Sequence, residues 1–486
     1  MRTFAMSALM LLGLLWTVAV SASAAKGNIT PSALMVSDAH FNPFHDPAKV
    51  KQLEATPASG WETIFASGDS PTQGQDFEEL RTACKLRGID TPYSLFASAI
   101  SAIHRDAAGA SFITISGDLL AHRFDCMFAK TLPGATPEQY TVFTAKTIEY
   151  EVLQLRHAIP GAAFYLALGN NDSACGDYRL DTGMEWFKIL AHVAEAGVGR
   201  TWGKSATESF EQGGYYSVEM APPMKKTRMI VVDDTFLAGG YKSCKGERNP
   251  EPGEKQMAWL QTQLNDARAH HERVWVMGHI PPGVSPYATF QQQKKTMNLC
   301  TAEGKPASFM PTDLLGDTII RNADVVKLGI FGHTHVDELK LLTGEAGDVP
   351  VKNVPSLTSI GGNYPSFTIA KLDPLTAELV DFTVISSPDP EGSHWTKEYT
   401  FSERSGGIGF TPVTLQKVIA ELAADSSGTT KLSQDYILNW SVGAQRQQLQ
   451  PIWPGYVCGM NHSHAEDYKS CVCRGSLSSL LGPGTQ

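Results

Sequence analysis

Six short apolar runs recur along the chain between residues 33 and 331. They are Ala33-Leu34-Met35-Val36, Phe112-Ile113-Thr114-Ile115, Phe164-Tyr165-Leu166-Ala167-Leu168, Met229-Ile230-Val231-Val232, Val274-Trp275-Val276-Met277 and Leu328-Gly329-Ile330-Phe331, each closed by polar residues. Runs this short and without alternation suit strands buried on both faces. Helical stretches lie between them. Thr136-Pro137 opens one, with proline at the first helical position and Gln139 completing a capping box, and it runs to about His157 before Pro160-Gly161. A second covers roughly Gly253 to His270, with Met257, Leu260 and Leu264 on one face. Strands alternating with helices predict an α/β domain over residues 30–385.

The alternation stops after Ser386-Ser387-Pro388-Asp389-Pro390. Beyond it, Thr411-Pro412 starts a helix carrying Leu415, Val418, Ile419 and Leu422, and a cysteine and histidine cluster follows. Residues 390–486 are therefore expected to form a helical, disulfide-braced annex packed on the main domain. At the other end, Arg2, the apolar stretch Ala8 to Val20 and the small residues Ala22-Ser23-Ala24 have the layout of a signal peptide over residues 1–24. The protein is thus expected to be exported: periplasmic, secreted or lumenal. No other stretch is long and apolar enough to span a bilayer, so no stable membrane insertion is expected.

Export bears on the eight cysteines, because an even count in an oxidising compartment favours disulfides. The one local pairing expected is Cys458 with Cys471 or Cys473. The rival is a small zinc site built from Cys458, His462, His464, Cys471 and Cys473, whose spacing matches no common zinc pattern. The 486 residues, 42% of them hydrophobic, are enough for a sizeable core. A net charge of −10 with no basic run argues against a nucleic acid duplex as partner. A small phosphorylated substrate stays open, since bound metal ions can supply local positive charge.

The chemistry sits where the apolar runs end. The first ends in Asp38-Ala39-His40, the second in Gly117-Asp118, and the third in Gly169-Asn170-Asn171-Asp172. The fifth ends in Gly278-His279 and the sixth in Gly332-His333-Thr334-His335. Any one of these blocks is uninformative alone. Jointly, loops beyond strand ends converge at one sheet edge and can aim side chains inward. They supply carboxylate, amide and imidazole without thiolate, a donor set suited to zinc, manganese or iron.

This ordered pattern resembles the calcineurin-like metallophosphoesterase superfamily and, within it, the acid sphingomyelinase-like phosphodiesterases. Two further features carry the resemblance: Asp118 is followed four residues later by His122, and Pro355-Ser356-Leu357-Thr358 precedes Asn363-Tyr364-Pro365, where Tyr364 interrupts the subfamily's Asn-Pro pair. The resemblance implies a four-layer sandwich, two mixed β-sheets flanked by helices. It implies that Asp38, His40 and His335 hold one divalent metal ion, that Asn170, His279 and His333 hold a second, and that Asp118 bridges them, with zinc the first choice. It also implies that a metal-activated hydroxide attacks phosphorus in line with the leaving group.

The chain departs from the family at Asn171, where the family's Gly-Asn-His block has a histidine placed to protonate the leaving group. An amide cannot donate a proton at neutral pH. Either His122 therefore carries the acid role, or the substrate has a leaving group that needs little help; Asn171 can hydrogen-bond a phosphate oxygen. Asn at this position also occurs among endopolyphosphatase-like relatives. Only about a dozen residues separate the signal peptide from Asp38, and no amphipathic helix among them could lift a lipid from a bilayer. Soluble substrates such as nucleotides or phosphocholine esters are expected over sphingomyelin. The alternatives are an endopolyphosphatase-like hydrolase, a sphingomyelin phosphodiesterase or a non-catalytic binder of phosphorylated ligands.

Overall fold

The computed structural model describes residues 30–293, 299–407, 409–444 and 449–474; the expected signal peptide lies outside them. All six apolar runs are strands. β1 (Ser32–Val36), β2 (Phe112–Ser116) and β3 (Ala163–Ala167) lie side by side and parallel, and β5 (Thr227–Val231), β6 (Arg273–Met277) and β7 (Val326–Phe331) do the same in a second sheet. Six further strands extend these two cores. They are β4 (Tyr216–Glu219), β8 (Glu338–Gly344), β9 (Gly347–Asn353), β10 (Ser366–Asp373), β11 (Glu378–Ser386) and β12 (Thr396–Thr400). The first sheet has the order β12-β11-β10-β1-β2-β3 and the second β4-β5-β6-β7-β9-β8, so both are mixed.

The sheets face each other across a shared core. Phe112 on β2 meets Trp275 on β6 edge to face at 5.9 Å, and the Trp275 indole N–H donates to the Ala377 carbonyl between β10 and β11 (2.8 Å). Helices close the outer sides. Tyr93–Ala107 and Glu185–Val198 pack on the first sheet, with Pro137–Ala158 against both helices. Glu251–Ala269, Leu314–Arg321 and Pro412–Ala424 pack on the second. The result is the expected four-layer sandwich. Local signals behave as read: Thr136 caps the helix through a reciprocal box with Gln139 (3.0 and 3.3 Å), and Met257, Leu260 and Leu264 are buried.

The segment beyond residue 390 differs from the all-helical expectation in its first part. Thr396–Thr400 pairs antiparallel with β11 and forms the edge of the first sheet. Its short, charged, half-exposed pattern lacks the continuous apolar signature of a buried strand. Helices follow at Pro412–Ala424, Lys431–Trp440, Trp453–Asn461 and Ala465–Arg474. No helix among the described residues is long and apolar enough to cross a membrane.

All eight cysteines are paired: Cys84 with Cys126, Cys175 with Cys244, Cys300 with Cys473, and Cys458 with Cys471. The rival zinc site therefore has no thiolate, and His464 is turned to Asp317 (2.7 Å). Four disulfides fit an extracellular or lumenal setting. Thiol titration of the denatured, unreduced protein should find no free thiol. Strong reductant should lower the melting temperature, since a disulfide stabilises by typically ~2–4 kcal/mol. Eight titratable thiols would refute this.

Candidate metal centre

Parallel strands point their C-terminal ends the same way, so the loops after β1, β2, β3, β6 and β7 meet at one edge. The backbone there is forced into rare geometry. Asp38, His40, Asp118, His333 and His335 all have φ between 43° and 70°, a left-handed conformation uncommon for side-chain-bearing residues. Such residues persist where surrounding structure over-determines them, and they cluster at functional sites. Two glycines permit the crowding. A Cβ on Gly169 would run into the Asp118 carboxylate, and one on Gly332 into Ser37 and Asp38.

Two groups of donors result. In the first, His40 Nε2 and His335 Nε2 are 3.2 Å apart, and Asp38 Oδ1 lies 3.3 Å from His335 and 3.9 Å from His40. In the second, His279 Nε2 lies 3.3 Å from His333 Nδ1 and 3.2 Å from Asp118 Oδ2. The same Asp118 oxygen is 3.5 Å from His40 Nε2, so its carboxylate stands between the groups. Asp38, His40 and Asp118, and likewise Asp118, His279 and His333, can each hold a metal ion.

The surroundings fit cations. Backbone carbonyls of Leu120 and Ser116 occupy the Nδ1 atoms of His40 (2.9 Å) and His279 (2.8 Å), which fixes the tautomer and leaves Nε2 as the coordinating atom. Asn170 donates its amide to Asp177 (2.8 Å), while its Oδ1 is buried without a hydrogen-bond partner. A buried orphan acceptor is costly unless something unrepresented satisfies it. Electrostatics agree. Burial lowers His40 to about 4 and His333 to about 3, helped by the charges of His122 and His279 respectively, so both rings stay neutral. Burial opposes the charge on Asp118, but His279 outweighs it and holds the carboxyl well below its usual range. Asp118 in turn pushes His279 up to about 10 against the pull of burial. A proton on His279 thus stands where a cation would balance Asp118.

Both catalytic candidates are at this edge. His122 stacks on His40 (ring centroids 4.1 Å) and its Nδ1 pairs with Asp90 (2.9 Å). Burial pulls its pKa down, but the hydrogen bond and charge of Asp90 more than offset this and raise it to about 9. Asn171 directs both its backbone N–H (2.8 Å) and its side-chain amide (2.9 Å) onto Asp118. It is therefore placed on the shared carboxylate. The Pro355–Thr358 loop is a brace: Leu357 and Thr358 donate to Ser37 and Asp38 carbonyls (3.0 and 3.1 Å), and Asn363 donates to Ser356 Oγ (2.8 Å).

Several buried acids escaped the sequence reading. Asp172 accepts from Gly169, Leu119 and Leu120 (2.8–2.9 Å) and ties the β2 loop to the β3 loop. Asp234 accepts from the backbone of His279 and Ile280 (3.0–3.1 Å). Burial raises both to about 7. The available signal was the fourth apolar run, which also closes in acids, Asp233-Asp234. Asp90 and Asp177 follow no apolar run, so nothing local marks them. A cavity of about 470 Å³ opens beside His333 and His335, lined also by Tyr287, Phe309, Trp440 and Asn363.

No family model matches the chain. Similar curated proteins do. The cyclic GMP-AMP phosphodiesterase SMPDL3A of Mus musculus is 25% identical over 401 residues, covering 79% of this chain and 82% of that protein. The acid sphingomyelinase-like phosphodiesterase 3b of Homo sapiens is 23% identical over 459 residues, covering 90% and 89%.

The chain is a homologue of the acid sphingomyelinase-like phosphodiesterases.

The sphingomyelinase phosphodiesterase C of Dictyostelium discoideum is a more distant homologue at 21% identity over 414 residues, 79% of this chain and 82% of that protein. Among solved structures, a dimetal phosphatase from Danio rerio aligns with 79% of this chain and 99% of its own at 11% identity and a TM-score of 0.38. The calcineurin-like phosphoesterase YfkN from Bacillus subtilis aligns with 81% and 96% at 11% identity and a TM-score of 0.26.

Proposed function

We propose that this protein is an exported phosphodiesterase that uses two divalent metal ions to hydrolyse soluble phosphodiesters. One observation carries the reading: two ligand groups share the Asp118 carboxylate at one sheet edge, with the orphan oxygen of Asn170 beside them. Asp38, His40 and His335 would hold one ion, Asn170, His279 and His333 the other, and Asp118 both. Zinc suits this imidazole-rich set, and manganese or iron fits the same donors. Two such ions acidify a water nucleophile and neutralise charge on the phosphoryl oxygens. The chain's own residues do the rest. Asn171 fixes the shared carboxylate through two hydrogen bonds, and His122, held protonated by Asp90, donates to the leaving oxygen.

The cavity supports a substrate with a single phosphodiester. Its described lining holds the aromatic residues Tyr287, Phe309 and Trp440 and the amides Gln291, Gln292 and Asn363, but no lysine or arginine. A planar or apolar neighbour of the phosphate, as in a nucleotide or phosphocholine ester, finds partners there. Residues 1–24 would serve as the signal peptide, 30–385 as the catalytic domain and 390–486 as the annex.

The test is a panel of the metal-reconstituted protein against cyclic dinucleotides, nucleotide diesters, phosphocholine esters, polyphosphate and sphingomyelin. Soluble diesters should turn over fastest. Chelation should abolish turnover and zinc or manganese should restore it. Two bound metals with no hydrolysis of even bis(p-nitrophenyl) phosphate would instead make the protein a binder.

A further inference from the structure

One link between the C-terminal helices and the metal-binding edge runs through a buried carboxylate. Glu338 opens β8 immediately after the His333-Thr334-His335 loop and is 6% exposed. Its Oε2 accepts from the Thr334 hydroxyl (2.9 Å), the residue between the two histidines. Its Oε1 accepts from the Tyr456 hydroxyl (2.7 Å) and, at the limit of hydrogen-bonding distance, from the Trp440 indole N–H (3.5 Å). Both of these donors belong to the C-terminal helices. The Thr334 hydroxyl is fixed from the other side by the Asn353 amide (2.5 Å), so it has one orientation available.

Burying a carboxylate is expensive unless hydrogen bonds replace its water. Here no lysine or arginine forms an ion pair with Glu338 among the described residues, and its hydrogen bonds come from neutral donors. Half of that support comes from the C-terminal helices and half from the loop side. Undocking the helices strips Oε1 of its donors, and the carboxylate must then seek water at the expense of Thr334. The same C-terminal segment also touches the loop after His279, where Val284 N–H donates to the Ser463 carbonyl (2.9 Å).

We propose that Glu338 is a positioning residue that couples docking of the C-terminal helices to the orientation of His333 and His335. It touches no reacting atom and acts through Thr334. The C-terminal helices are then part of what shapes the metal centre. This rests on the metal reading of the site given above.

The experiment measures zinc stoichiometry and affinity, by competition with a chelating dye, in wild type, Tyr456→Phe, Glu338→Gln, Thr334→Val and Thr334→Ser. Melting temperatures are recorded alongside. Wild type should bind two ions. Tyr456→Phe removes a hydroxyl that contacts Glu338 and no metal-ligand candidate, yet should weaken zinc binding by about tenfold, in the range for changes behind the ligands. Glu338→Gln and Thr334→Val should do the same, and Thr334→Ser, which keeps the hydroxyl, should restore wild-type affinity. If Tyr456→Phe and Glu338→Gln fold and bind two ions as tightly as wild type, the coupling is refuted and the metal reading stands. If wild type itself binds no ion, the metal reading falls and this proposal with it.

Discussion

Asp118→Asn should abolish hydrolysis of every phosphoester while leaving the fold largely intact. The Asp118 carboxylate lies within 3.5 Å of imidazole Nε2 atoms from both ligand groups, His40 and His279. Asparagine preserves shape but carries no charge, so it cannot bridge two cations or offset them. The acidification of water by bound metal spans many pKa units, and losing the shared ligand should lower kcat/KM by roughly 10³-fold or more. Stability should fall modestly, because an amide N–H₂ would face the Asn171 donors, at a cost of about 1–3 kcal/mol. Metal analysis should show fewer than two ions per chain. A variant with two ions and near-wild-type turnover would sink the assignment of this edge as the active site.

His122→Ala should separate substrates by leaving group. If His122 protonates the departing oxygen, alkyl phosphodiesters should slow by about 10²–10⁴-fold, the usual worth of general-acid catalysis. A p-nitrophenyl diester, whose phenolate leaves unaided, should hardly change. Asp90→Asn should reproduce part of the effect, because Asp90 orients the His122 ring and holds its proton. Asn171→His should raise turnover of alkyl esters more than aryl esters. The competing role, orienting a non-bridging oxygen, is blind to the leaving group. Equal loss on both substrates would therefore take His122 out of the acid role and leave solvent as donor.

What the sequence disclosed follows from burial. β1, β2, β3, β5, β6 and β7 are sheltered on both faces, so their apolar runs stand out, and each candidate ligand block is visible because it closes such a run. The other strands pair antiparallel, with β9 also running parallel to β7, and they carry charge. Lys352 in β9 is fully buried, but it is paired with Asp337, a partner that no local pattern announces. Glu338 reads as an ordinary acidic residue until Tyr456 and Trp440 are seen beside it. Disulfide pairing was legible only for Cys458, whose partner is thirteen residues away. The partners of Cys84, Cys175 and Cys300 depend on how distant segments meet.

The order of strands in the first sheet has a consequence for how the protein is made. β1 sits between β2 and β10, and its first residue, Ser32, lies opposite Lys371. β1 cannot complete its pairing until the chain as far as β10 has been made. At about 5–20 residues per second, that is a wait on the order of tens of seconds. Throughout it, an apolar strand and the residues Asp38 and His40 that follow it lack their final neighbours. Assembly of this edge thus waits until β10 has been made. A chain stopped short of β10 would leave one side of β1 unpaired, the kind of open edge that recruits other chains.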